Sequence, residues 1–317
     1  MAKTIVVDPN RSLNNLVSAV WQAKQGDTIR FQRGVYSGGE ILKNLKGAPE
    51  AWITILADTS DRVVIRGEST AWQFSDPEYI KIEGLTFEGQ TSNGLNIDDG
   101  GDYSTPAHHI IFKHCTFRNI NATGNNDLLK LSGPDDFEII NCRFKNGSPG
   151  GSGIDMVGCH RGKIEGCRFE NQGSNSVQAK GGSQHILISG NLFVNGGQHL
   201  VNLGGSTGTP FFRPINAAFE AADLEIYSNI FVGSDAPVAF VGSIRSKVIN
   251  NTIYKPGRWV VHILQENTDP RLVQCGENSF ENSLIIYENL RTETNIGANT
   301  RPSSFRFYSN FWFDGSA

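Results

Sequence analysis

Apolar and polar residues alternate along this chain in short runs, and the runs share an ending. HIIFKHCTF (109–117), FEIINCRF (137–144), HILISGNLF (185–193) and LEIYSNIF (224–231) each place β-branched or aromatic residues at every second position. That period predicts strands, not helices. The closing phrase recurs at Phe87, Phe117, Phe144, Phe169, Phe193, Phe231 and Ile253, with spacings of 30, 27, 25, 24, 38 and 22 residues. Gly and Asn sit between the runs, as tight turns require. Units of this length, each with two or three short strands, must stack to bury their apolar faces. The pattern predicts an all-β fold: a single-stranded, right-handed parallel β-helix of about nine turns, filling 1–317 as a single domain. The units are too short for propeller blades and lack the Leu/Asn signature of leucine-rich repeats.

One segment departs from this period. In SLNNLVSAVWQA (12–23), Leu13, Leu16, Val17, Val20 and Trp21 follow the helical i, i+3, i+4, i+7, i+8 pattern behind the N-capping residue Ser12. A helix here would cover the open N-terminal end of the solenoid. The C-terminal SSFRFYSNFWFDGSA (303–317) reads as a last strand or flap.

Within the repeat, Cys115, Cys142 and Cys167 share a position that passes to Asn191, Asn229 and Asn251. Stacked amides can bond along such a column, and thiols fill the same space as small apolar groups. Five cysteines, with no CxxC or Cys/His spacing, read as buried free thiols rather than a disulfide framework or zinc site. A net charge of −4 gives no case for nucleic-acid binding, and no apolar run reaches transmembrane length. No signal peptide is present, yet the short lead into the repeat is compatible with a secreted, periplasmic or cell-surface mature domain.

Aligning the repeats places side chains on faces. Leu95/Ile97, Leu129/Leu131, Ile154/Met156, Val177/Ala179 and Val201/Leu203 point inward. The outward columns are then Asn96, Lys130, Asp155, Gln178, Asn202 and Asp98, Ser132, Val157, Lys180, Gly204. Rungs lie about 4.8 Å apart, so Lys130 and Asp155 should meet. A polar strip on a solvated sheet is ordinary, and one such pair is worth only about 0–1 kcal/mol. The density is less ordinary: Asp127, Lys130, Asp155, Gln178, Lys180, His199 and Asn202 crowd a few rungs, whereas the later APVAFVG rung is bland. Two inserted loops flank the strip, at 98–109 and 204–223. The second holds Phe211 and Phe212, which could stack on sugar rings or pack a small core of the loop's own. It also holds Arg213, which could pair with a carboxylate. The first holds Asp98, Asp99 and Asp102, a solvated acidic loop or an oxygen set for Ca²⁺.

The N-terminal stretch GDTIRFQRGVYSGGEILKNLKGAPEAWITILADTSDRVVIRGEST (26–70) resembles the opening of the pectate-lyase-like right-handed β-helix superfamily. The likeness is carried by Gly-Asp-Thr-Ile at 26–29, Gly34 with Tyr36, and WITILAD followed by VVIRG. Alginate- and chondroitin-degrading lyases of that superfamily share it most. The resemblance implies a polysaccharide substrate and places an acidic residue at Asp127. It also implies a lysine where Ser132 stands and an arginine where Val157 stands, while Lys180 occupies that column one rung further on. The polygalacturonase acidic set and the epimerase Asp-Pro-His-Glu motif are absent.

Together these readings favour a monomeric lyase that cleaves an acidic polysaccharide by β-elimination. Lys130, Asp155, Lys180 and His199 form the catalytic set, with Lys180 or His199 as base. Asp127, Gln178, Asn202, Phe211, Phe212 and Arg213 form the binding set. No resident metal is assigned, and Ca²⁺ is the one cofactor the acidic loop could hold. The alternatives are a hydrolase using Asp127 and Asp155, or a module that only binds polysaccharide.

Overall fold

The structure is a computed structural model and describes residues 1–10, 16–58 and 62–316. Its strands form three long parallel sheets of 12, 11 and 10 strands and a short one of three. The chain visits the long sheets in rotation. One circuit runs from His108–Lys113 to Thr116–Arg118 to Leu129–Ser132, and each strand pairs with its counterpart in the next circuit. This is the parallel β-helix that the repeat predicts, and it is longer than about nine turns. The added rungs are N-terminal: Thr4–Val7, Thr28–Phe31 and Ile53–Ala57 start the 12-stranded sheet without the repeated closing phrase.

The closing phenylalanines build the core. Phe87, Phe117, Phe144, Phe169, Phe193 and Phe231 are buried and stack ring on ring, with centroids 4.7 to 5.0 Å apart. That distance is the rung spacing, so one aromatic per turn gains a stacking contact above and below. The column beside it changes chemistry halfway. Cys115, Cys142 and Cys167 are free and buried, and each thiol donates to a backbone carbonyl. Asn191, Asn229 and Asn251 then continue as an amide ladder, Asn191 Nδ2 to Asn229 Oδ1 at 3.0 Å and Asn229 Nδ2 to Asn251 Oδ1 at 3.1 Å. The frequent asparagines elsewhere have a backbone cause. Asn119, Asn146, Asn171 and Asn195 all take left-handed φ at the same corner, which Asn tolerates better than most residues.

The helix spans Leu16–Gln22 and buries Leu16 and Ala19 against the first rungs. Ser12 and Leu13 lie outside the described residues. Trp21 does not join the buried face: it is 85% exposed. The C-terminal stretch supplies two last strands, Arg306–Tyr308 on the 12-stranded sheet and Phe311–Asp314 on the 11-stranded one.

Candidate active-site groove

The 10-stranded sheet carries the strip, in the register that the repeat predicts. Asn96, Lys130, Asp155, Gln178 and Asn202 form one outward column; Asp98, Ser132, Val157 and Lys180 form the next. Asp155 is the hub. Its Oδ2 receives the Lys130 ammonium, and its Oδ1 lies 3.4 Å from Lys180 Nζ, with no hydrogen-bond partner of its own. Lys180 also donates to Gln178 Oε1 at 3.3 Å, and Gln178 donates to the Gly204 carbonyl at 3.2 Å. Asp127 lies behind Lys130, with Oδ2 at 3.7 Å from Nζ, while its Oδ1 accepts the Ser152 N–H at 2.7 Å.

Burial sets the electrostatics. Asp127 and Asp155 are each only 2% exposed. Burial, and then the neighbouring Asp155 charge, push the Asp127 carboxyl up to about 7. Burial acts against the Lys130 ammonium, but attraction from Asp155 and Asp127 outweighs it and raises its pKa. Lys130 is therefore a fixed cation.

The two insertions wall this floor. Asp99 and Tyr103 from the first loop and Ser206, Thr207, Gly208 and Phe211 from the second enclose a cavity of about 370 Å³ over Lys130 and Lys180. Phe211 is 62% exposed at its rim. Asp99 is buried with Oδ2 unpartnered, and desolvation raises its pKa. Gly133 makes room for it: a Cβ there would lie 2.4 Å from Asp99 Oδ2, and φ is +85°. The second loop is pinned by Glu220, a fully buried carboxylate. It accepts from the Thr207 N–H and hydroxyl, the Gly181 N–H and the Asn267 amide, all within 2.9 Å.

Several expected site residues lie elsewhere. Arg213 is 6% exposed and does not face the groove; its guanidinium is bound by Asp135 at 2.6 and 3.0 Å, by the Gly158 carbonyl and by His160. Phe212 is fully buried under the Arg271 guanidinium, 4.5 Å from its ring centroid, so the loop packs its own core with it. His199 is buried beside Asn175 Oδ1 (3.1 Å) and His262 Nδ1 (3.4 Å), and burial brings its pKa down to about 4. It does not border the cavity over Lys180, which leaves Lys180 as the expected base that does. Asn202 is buried, with Oδ1 unpartnered. Asp98 is held by Ser75, Gln73 and the Gly100 N–H, Asp99 by the Gly101 N–H, and Asp102 by Ser104. Among the described residues no three His, Cys, Asp or Glu side chains converge on one point. Sequence reasoning missed Tyr103 and Thr207, and singled out Asp99 only as part of the acidic loop, not as a wall of the groove. The signal available for Tyr103 was an aromatic in the loop inserted beside the strip.

A family model described as "Right handed beta helix region" matches residues 63–253, and the chain belongs to that family. No curated protein matches the sequence. Among solved structures, an alginate lyase from Paenibacillus sp. str. FPU-7 superposes with a TM-score of 0.66 at 16% identity, covering 98% of this chain and 99% of that one. The pectate lyase Pel9A gives 0.67 at 17% identity, over 96% and 80% of the two chains. The Streptococcus pneumoniae surface protein and adhesin PfbA gives 0.53 at 12% identity, over 95% and 94%. At these identities the likeness is one of fold.

Proposed function

We propose that this chain cleaves a uronate-containing polysaccharide by β-elimination in the groove between the two inserted loops. The observation that carries the reading is the pair of lysines, Lys130 and Lys180, that neighbouring strands set around one buried carboxylate on the groove floor. Lys130, held protonated, neutralises the substrate carboxylate and so acidifies the proton on C5. Lys180, beside it on the groove floor, takes that proton. The C4–O bond then breaks, a C4=C5 double bond forms, and the Tyr103 hydroxyl protonates the departing oxygen. Phe211 offers an apolar face for a sugar ring at the rim. Fold neighbours named as alginate and pectate lyases support the substrate class and, with it, a role outside the cell. Hydrolysis by Asp127 and Asp155 fits less well, because both carboxyls are sealed beneath Lys130.

The test is incubation with alginate, polygalacturonate and chondroitin, following both reducing ends and the ultraviolet absorbance of the new double bond. Elimination raises both together. New reducing ends without the absorbance would show hydrolysis, and neither signal on any polymer would leave a protein that only binds.

A further inference from the structure

A second concavity, of about 530 Å³, lies on a different face, the outer side of the 11-stranded sheet. Three adjacent strands, Thr116–Arg118, Arg143–Lys145 and Arg168–Glu170, turn their phenylalanines inward and leave Arg118, Arg143, Lys145 and Arg168 outward. Arg143 stands directly over Arg168 in the register, and Arg118 over Lys145. Like charges directly opposite on neighbouring strands are unfavourable. Among the described residues two carboxylates serve the cluster: Glu88 accepts from Arg118 at 2.8 Å, and Glu170 pairs with Arg168 and, at 3.9 Å, with Lys145. The Arg143 side chain has no hydrogen bond or ion pair among the described residues. This cationic cluster stands on a chain whose net charge is −4. Its rungs are held in line at the adjoining corner, where Asn146 donates to Asn119 at 2.7 Å and Asn171 to Asn146 at 3.1 Å.

We propose that this face is a second binding site, for an extended polyuronate chain, separate from the groove and not needing turnover there. Guanidinium groups repeat along the solenoid axis at the rung spacing of about 4.8 Å. A 1,4-linked polyuronate carries one carboxylate per sugar, a comparable repeat. Its carboxylates supply the anion that Arg143 lacks and can take the place of Glu170 at Arg168, in the paired geometry that guanidinium favours. The exposed ion pair of Arg168 with Glu170 is weak enough to be exchanged for such a ligand.

The experiment is affinity electrophoresis in gels containing polygalacturonate at low ionic strength, with the Lys180→Ala protein so that turnover does not shorten the polymer. Retardation is expected for Lys180→Ala, weakening as salt is added. Adding Arg143→Ser and Arg168→Ser should weaken it roughly tenfold, the worth of about one charge-assisted contact, at an unchanged melting temperature. The proposal is overturned if these substitutions leave retardation unchanged, if Lys180→Ala alone abolishes it, or if the face retards on DNA but not on polyuronate. Turnover measured on soluble oligomers reports on the groove independently.

Discussion

Two buried carboxylates on this solenoid, Asp135 and Asp155, each bind two or more cations, yet they are built to opposite ends. Asp135 is saturated. Arg213 meets it with both terminal nitrogens, Arg161 reaches Oδ2 at 2.9 Å, and His160 Nδ1 lies 3.2 Å from Oδ1. Burial alone would push its pKa up, but hydrogen bonds from His160 and Arg213 outweigh this and hold it far below the usual carboxylate range. Asp155 is not saturated. It has one close lysine, a second at 3.4 Å, an oxygen without a hydrogen bond, and a neighbouring carboxyl, Asp127, that resists ionising. A closed network fixes a loop. An open one, facing a cavity, leaves charge that a ligand can complete.

Breaking the closed network should give the largest effect on stability. Arg213→Met leaves Asp135 buried with its bidentate partner gone, a loss of about 3–5 kcal/mol. The melting temperature should fall by on the order of 10 °C. Asp135→Asn combined with Arg213→Met should recover a large part of the fall, because no charge is then stranded. Equal melting temperatures for the single and double variants would show that Arg213 holds the 204–223 loop by packing alone.

The open network should respond the other way. Lys180→Ala removes the proposed base and should cut kcat by about 10²-fold or more, the range for a positioned acid or base. Its melting temperature should move little, since Lys180 contacts Asp155 only at 3.4 Å. A profile in which Lys180→Ala loses stability but keeps its rate would make Lys180 a structural partner of Asp155 and move the search for a base to Tyr103, the other titratable side chain on the wall of the cavity with Asp99.

Much of this was legible in the chain itself. The period-two runs and the recurrent phenylalanine gave the register of the site sheet residue by residue, because parallel stacking converts sequence offset directly into spatial neighbourhood. The meeting of Lys130 with Asp155 follows from that alone. What the repeat could not reach were the insertions. Loop 204–223 has no period, and its conformation depends on long-range partners: Glu220 on Asn267, Arg213 on Asp135. Arg213 and Phe212 look like ligand-facing groups by type and are scaffold by position. Phe211, their neighbour, is the one that reaches the rim. The early rungs escaped the count of turns because they lack the aromatic ending, although they pair in the same way.

The two networks should also differ in the sign of their pH dependence. Asp135, with its pKa depressed on folding, contributes stability that is present above the unfolded carboxylate value and lost as the pH falls through the folded one. Asp127 is the reverse. It takes up no extra proton on unfolding; it releases one, because the folded value is about 7 and the ordinary value is 3.8. Between those values the folded state binds more protons than the unfolded state, so stability falls as the pH rises. Asp127→Asn removes that slope while keeping an oxygen for the Ser152 N–H. Melting temperatures measured at pH 5 and pH 8 should therefore drop less for Asp127→Asn than for the wild type, the difference corresponding to about 1–3 kcal/mol. Groups remote from Asp127 titrate equally in both proteins and cancel. Parallel curves would mean that Asp127 stays ionised beside Lys130, and that the open network is as fully neutralised as the closed one.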